Sequence, residues 1–327
     1  MKLVMTLLAR NEEDILDAHL AFHLNAGVDF VIAIDNGSDD GTTEILESYA
    51  RDGHVDLTRE DRDYNQAEWV TQMARRAATE FGADWVINSD ADEFYWPRGG
   101  TLKDVLAAVP TGYGGVRGML RNFAPRPFGD DFFAERMTVR VCNPGAEDNS
   151  PYSPRFKAIH RGDPDVTVLP GANRALGRGL DPLAGWYPID VLHFPIRSLE
   201  HFTEKYLRWW ALLRTRFSEA VHEAHSRGEL SELYESYVVD DEALANGITD
   251  GTLAIDTRLR DAIRSLRAQP PRPLTFDDAV DEAYVAELAI LEDGDPHAHV
   301  QRKAEDLEAR LARMERSHIK TLMRRIP

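Results

Sequence analysis

Apolar runs and helical stripes alternate along the N-terminal part of the chain. Leu3-Val4-Met5-Thr6-Leu7-Leu8 is an apolar run of strand length. After Arg10-Asn11-Glu12-Glu13, the positions Ile15, Leu16, His19, Leu20, His23 and Leu24 recur at helical spacing. A helix is therefore expected to open near Glu12 and to end at Ala26-Gly27. Phe30-Val31-Ile32-Ala33-Ile34 reads as a second buried strand, closed by the turn chemistry of Asp35-Asn36-Gly37-Ser38-Asp39-Asp40-Gly41-Thr42. Thr42 to Ala50 reads as a helix, with Asp39, Asp40 or Thr42 as its cap. Val55-Asp56-Leu57 is a short third strand. Glu68 to Phe81 is a helix with Val70, Met73, Ala74 and Ala77 on one face, and Trp85 to Ser89 is a fourth strand.

This alternation predicts an α/β fold of Rossmann-like type, a mostly parallel mixed sheet sandwiched by helices. Beyond Ser198 the pattern turns helical. Leu199, Phe202, Tyr206, Trp209, Trp210 and Leu213 form a wide apolar stripe of core character, and residues 218–245 continue as helix. Gln269-Pro270-Pro271-Arg272-Pro273 breaks the pattern, and Thr275 to Glu292 resumes it. His299 to Arg325 is a basic amphipathic helix, open to three uses: packing on the body, dimerisation through a short coiled coil, or peripheral membrane contact. Its apolar stripe lacks Trp and Phe, which favours packing or a homodimer. The expected organisation is a domain at 1–198 followed by a helical appendage at 199–327.

Ligands of such sheets bind at the carboxyl ends of the strands. Arg10-Asn11-Glu12, Asp35-Asn36 and Asp90-Ala91-Asp92 all fall at those ends. In Trp85-Val86-Ile87-Asn88-Ser89-Asp90-Ala91-Asp92-Glu93-Phe94 an apolar strand stops in three carboxylates. Side chains alternate in an extended segment, so Asp90 and Asp92 project to the same side and repel each other unless a cation lies between them. Hard oxygen ligands favour Mg²⁺ or Mn²⁺, which in turn take phosphate oxygens. The pattern points to metal-assisted chemistry on a nucleotide-linked substrate. Each cluster also has a plainer use: acidic turns after strands are common, and an Asp such as Asp35 commonly caps a helix. There is no Gly-x-Gly-x-x-Gly after the first strand and no Gly-x-x-x-x-Gly-Lys-Ser/Thr, which argues against an NAD site and a P-loop.

Taken in order, Ala9-Arg10-Asn11-Glu12, Asp35-Asn36-Gly37-Ser38-Asp39-Asp40-Gly41-Thr42 and Asp90-Ala91-Asp92-Glu93-Phe94 resemble a family 2-type glycosyltransferase with the GT-A fold, over roughly residues 1–200. Ser153-Pro154-Arg155-Phe156-Lys157 and Leu192-His193-Phe194-Pro195-Ile196-Arg197-Ser198 also resemble a bacterial branch of that superfamily. The resemblance implies a donor site in which Asp35 meets the nucleobase, with Arg10, Asn11, Glu12 and Asn36 beside it. Asp90, Ala91 and Asp92 match the Asp-x-Asp motif that holds a metal on the diphosphate, and His193 matches a histidine that completes the metal shell. For His193 the alternative is a buried histidine satisfied by its neighbours. Gln66 and Trp69 match a segment facing the pyrophosphate and sugar; they also read as the first turn and packing face of a helix. The implied activity is sugar transfer with inversion, from a nucleotide-sugar donor such as a UDP-sugar to a glycan, lipid-linked, protein or small-molecule acceptor, with Mn²⁺ or Mg²⁺ as cofactor.

Inversion needs a base for the acceptor hydroxyl. The sequence offers Glu93 and Glu135 as candidates, with Asp130, Asp131 and His160 nearby and Asn173 where related sequences often carry a histidine. Phe123 to Phe133, rich in proline and aromatics, is either an acceptor loop or an ordinary proline-pinned hydrophobic loop. Two rivals stand beside the glycosyltransferase: a nucleotidyltransferase, which would carry a Gly-rich basic loop after its first strand, and a non-catalytic sugar-nucleotide-binding protein.

Composition narrows the partners. The net charge of −18 argues against nucleic acid or an anionic membrane as the main partner. The single cysteine, Cys142, allows no internal disulfide and no Cys-based zinc site, and fits a reducing cytoplasm. Residues 3–9 are too short for a signal or membrane segment, and a cytoplasmic location is expected.

Overall fold

The computed structural model describes residues 1–62, 64–127, 132–142, 151–213 and 215–267. The chain opens with β1 (Leu3–Ala9), α1 (Leu16–Asn25), β2 (Phe30–Asp35), α2 (Thr42–Arg51), β3 (Val55–Arg59), α3 (Gln66–Thr79) and β4 (Trp85–Asp90). Every strand and helix expected up to Ser89 is present, most with ends shifted by no more than two residues. The exception is the first helix. Asn11 takes a left-handed φ of 52°, tolerable for Asn, and Glu12 donates its N–H to Thr42 Oγ1 at 2.7 Å. Residues between Glu12 and Leu16 are therefore spent on a turn, and the helix starts one turn late.

β5 (Glu93–Pro97), α4 (Leu102–Ala107), β6 (Gly115–Ala124), α5 (Phe133–Arg136), β7 (Val139–Val141) and β8 (Phe156–Arg161) follow. A small hairpin of β9 (Thr167–Val168) and β10 (Ala175–Leu176) leads to β11 (Ile189–His193). The main sheet has ten strands, ordered β7-β6-β8-β4-β1-β2-β3 with one further edge strand beside β7, while β11 joins β5 to β6. It is mixed: β4, β1, β2 and β3 run parallel, β8 is antiparallel to both β4 and β6, and β11 is parallel to β6. The parallel half has near-continuous apolar strands because helices cover both of its faces. On one face α1 and α4 enclose Leu3, Met5, Leu7, Phe22, Trp85 and Phe94. On the other, α3 and the β9–β10 hairpin enclose Val4, Ile32, Trp69, Met73 and Val86.

After β11 come α6 (Leu199–Leu213), α7 (Arg216–Arg227), α8 (Leu230–Glu235), α9 (Asp241–Asp250), β12 (Leu253–Ile255) and α10 (Arg258–Arg267). The stripe of α6 is core as expected at Phe202 and Tyr206, which pack with Phe217, Val221 and Tyr234. Two expectations need correction. Residues 218–245 are not one helix, since Gly228 turns the chain with φ 75° at the end of α7; Gly251 (φ 79°) likewise ends α9. The region after 199 is also not a purely helical appendage. β12 is the edge strand beside β7, and Leu259, Ala262 and Ile263 of α10 belong to the same core as Leu16 and Phe22. The expected helices from Thr275 onward, the dimerising helix and Asp130-Asp131 lie outside the described residues. No helix among the described residues is long and apolar enough to cross a membrane.

Candidate active site

Register brings the polar clusters together. Leu8 pairs with Asp90 and Ala9 with Asp35, so the ends of β1, β2 and β4 lie side by side. His193, at the end of β11, pairs with Glu93 of β5 and Asn122 of β6. The turn after β1 is fastened to the turn after β2: Asn11 donates to Asp39 Oδ1 at 2.7 Å and accepts from the Asp39 N–H at 3.1 Å.

Two adjoining chambers open on this rim. The first is lined by the ends of β1, β2 and β4 through Arg10, Glu12, Asn36, Asp90, Ala91 and Asp92, and by Tyr64. α6 closes it with Lys205, Arg208 and Trp209. The second is lined by Gln66, Glu93, Arg155, Lys157, Asn173, Tyr206 and Phe217, among others. Asp90, His193, Lys205 and Trp209 belong to both.

Three carboxylates face two lysines here. Asp92 Oδ2 lies 2.5 Å from Lys205 Nζ and 3.6 Å from His193 Nε2. Lys157 Nζ bridges Asp90 Oδ2 at 2.9 Å and Glu93 Oε1 at 2.6 Å. Gln66 donates to Asp90 Oδ1 at 3.1 Å and accepts from the Gly171 N–H at 3.1 Å. Burial pushes the Asp92 carboxyl up, but Lys205, His193 and Arg197 outweigh it and hold it well below the usual range. Glu93 goes the other way. Burial dominates, Lys157 offsets only part of it, and its carboxyl is pushed up to about 8. Burial likewise raises Glu12 to about 7, against the pull of Arg197.

A divalent cation fits this donor set. One donor atom from each of Asp92, Glu93 and His193 lies within 4.8 Å of the others. His193 Nδ1 is 2.7 Å from Asn122 Oδ1, an acceptor, so Nδ1 carries the proton and the Nε2 lone pair faces Asp92. Burial lowers the His193 pKa more than Asp92 restores it, which keeps the ring neutral as a ligand must be. Of the expected metal residues, Asp92 and His193 converge. Asp90 is turned toward Lys157 and Gln66, and Glu93 supplies the third donor atom.

Other candidate residues are placed differently. Asp35 is 1% exposed, with Oδ1 taken by the N–H and Oγ of Ser38 and Oδ2 by Thr43 Oγ1 at 2.5 Å. It holds its own turn, and Asn36 lines the chamber instead. Trp69 is buried in the core under α3 and lines neither chamber. Glu135 is on α5, paired with Arg264 of α10, and is brought to neither chamber because that ion pair holds it at the packing of α5 on α10.

The residues missed from sequence are mostly cations. Lys157 lies inside a strand and Lys205 and Arg208 inside an amphipathic helix, where a lysine or arginine ordinarily reads as a solvated position. The available signal was that Lys205, Arg208 and Trp209 share one helical face.

A family model described as "Glycosyl transferase family 2" matches residues 7–180. No curated protein matches the chain. Among solved structures, S. aureus TarS is similar at 14% identity and a TM-score of 0.35, over 73% of this chain and 44% of that one. The chain thus spans less than half the length of that TarS structure. TarS 1–349 in complex with UDP is similar at 13% identity and a TM-score of 0.34, over 81% of this chain and 91% of that one. Glucosyl-3-phosphoglycerate synthase from Mycobacterium tuberculosis, in complex with Mn²⁺, UDP and glucosyl-3-phosphoglycerate, is similar at 16% identity and a TM-score of 0.25, over 37% of this chain and 43% of that one.

Proposed function

The chain belongs to glycosyl transferase family 2, and on that premise we propose that it is a metal-dependent, inverting transferase that takes its sugar from a UDP-sugar held in the first chamber. The observation that carries this reading is the meeting of Asp90, His193 and Lys205 at the wall shared by the two chambers, with Asp92 of the first chamber against His193 and Lys205. Such a wall is where a bond between a diphosphate and a sugar has to break.

In this reading the nucleoside lies against Arg10, Asn36 and Tyr64. Asp92 and His193 would hold Mn²⁺ or Mg²⁺. When bound, the ion neutralises the charge that develops on the departing diphosphate. Lys205 and Arg208, on successive turns of α6, add fixed positive charge to the same oxygens. Lys205 exchanges its contact with Asp92 for the diphosphate as the donor arrives. A lysine suits this role, because an ammonium is a point charge on a flexible stem.

The acceptor enters the second chamber, whose lining includes the aromatic side chains of Trp209, Tyr206 and Phe217. The carboxylates lining that chamber among the described residues are Asp90 and Glu93, both bound to Lys157. The acceptor proton goes to this pair. Glu93 thus keeps its place as a candidate, and Glu135 loses it. The catalytic unit in this reading is not confined to 1–198, since α6 forms one wall of the donor site.

The test is donor turnover. The purified chain with Mn²⁺ should hydrolyse or transfer from UDP-sugars, and Asp92→Ala should not. Binding of nucleotide sugar without turnover, across a broad acceptor panel, would move the assignment to a sugar-nucleotide-binding protein.

A further inference from the structure

Among the described residues Arg197 is the largest fully buried charged side chain, with 0% exposure, and the mechanism above leaves it without a task. It follows β11 and precedes α6, so His193 and Lys205 lie on either side of it along the chain. Its Nη2 lies 2.5 Å from Glu12 Oε2 and 2.9 Å from Asp14 Oδ1, and its Nε lies 2.7 Å from Asp14 Oδ2. Two donors of one fork thus engage both oxygens of Asp14, while Nη2 also reaches Glu12. Ser198, the next residue, accepts the His201 N–H at 3.1 Å and starts α6.

Both acids belong to the turn after β1. Glu12 lines the donor chamber, and its N–H is tied to Thr42. The opposite wall of the chamber is α6, with Lys205, Arg208 and Trp209. The two walls are far apart in the sequence, and the guanidinium is a charged link between them, beside the Asn11 amide that donates to Glu204 Oε2 of α6 at 3.4 Å. A buried charge cluster of this kind is weak evidence for stability, since desolvation cancels much of its attraction. What it does supply is fixed geometry. A fork bound to a carboxylate has one orientation, whereas an ammonium has many.

We propose that Arg197 is a positioning residue: it clamps the turn after β1 to the start of α6 and so sets the span of the nucleotide-diphosphate pocket. This rests on reading the first chamber as the donor site.

The test uses the whole chain, UDP with Mn²⁺ as probe, calorimetric binding, and donor KM and kcat measured separately. Two variants are compared with the parent. Arg197→Lys keeps the charge and loses the fork. Asp14→Asn removes half of the clamp at a residue that is 45% exposed on its side chain and lines neither chamber. Both should weaken UDP binding and raise donor KM by about tenfold, within the ~100-fold that a misplacement of about 1 Å is able to cost, while kcat at saturating donor stays within about twofold. Asp14→Asn should do so with little change in melting temperature. If Asp14→Asn lowers the melting temperature and leaves UDP binding unchanged, Arg197 is merely structural and the clamp is overturned. If the parent binds UDP and both variants bind it equally well, the clamp alone falls. If the parent binds no nucleoside diphosphate, the donor-site reading falls and the clamp with it.

Discussion

β11 carries a buried charge cluster at each end, and the two are built from different cations. At its start, Asp190 meets Arg98 at 2.8 Å, Arg121 at 3.0 Å and Arg258 at 3.0 Å. At its end, His193 faces Asp92, whose cation is Lys205. The first cluster is closed: the side chains of Asp190 and Arg121 are each 2% exposed. Three forks converge on one carboxylate, and although burial alone would raise it, they hold it at about 2. The second cluster has acids in excess of lysines and opens onto two chambers. Arginine forks around a carboxylate hold strands and helices together. Lysines beside a group of acids hold charge that a ligand is able to redistribute.

The sharpest way to break this contrast is at the open cluster. Asp92→Asn should cost about 10²–10³-fold or more in turnover, the scale set by losing one preorganised electrostatic group. The fold should survive, because the loss is at a chamber wall. Steady-state rates at saturating donor, with a melting curve beside them, check both halves.

At the closed cluster the expected pattern reverses. Asp190→Asn takes this counter-charge from the buried Arg98 and Arg121, while Arg258 keeps Asp256 at 2.8 Å, and should cost about 3–5 kcal/mol of stability. Turnover per folded molecule should stay close to the parent's. Urea unfolding together with active-site-normalised rates reads the two effects. The pH dependence follows from the same carboxylate. Its folded pKa of about 2 lies below the value of about 3.9 for an unfolded Asp, so its contribution is full above pH ~4 and is lost as pH falls toward 2. Melting temperatures between pH 5 and pH 2 should fall in the parent and fall less in Asp190→Asn.

Two smaller effects sharpen the contrast. Arg208→Ala removes a charged donor from the first chamber. It should raise donor KM by about tenfold, the equivalent of one hydrogen bond to a charged group. Glu135→Gln should leave turnover within about twofold and cost less than about 1 kcal/mol, since its pair with Arg264 is largely exposed. A large loss of turnover in Glu135→Gln would return that residue to the base role the sequence had left open for it.

The parallel half of the fold was legible because β1, β2 and β4 are buried on both faces and α2 and α3 are amphipathic, so Leu3–Ala9 and Gln66–Thr79 announce themselves. The acids of the rim were legible for the same reason: carboxylates that interrupt a buried strand need an explanation. What the sequence hid was pairing over long separations. Nothing local in Leu253–Ile255 says that it will join β7, because three residues carry no period. Nothing local in Lys157 says that it will lie between Asp90 and Glu93. Asp35 shows the reverse case. Its position favoured a ligand, but Ser38 and Thr43 were near enough in sequence to take both oxygens first.

The most direct test of the account is the melting temperature of the full chain with UDP, with Mn²⁺, and with both, in parallel with Asp92→Asn. Ligands that bind the native state raise it by mass action. The account predicts a shift with UDP and Mn²⁺ together that exceeds the sum of the separate shifts and is absent in Asp92→Asn. No shift with UDP or any other nucleoside diphosphate, with or without metal, would contradict it.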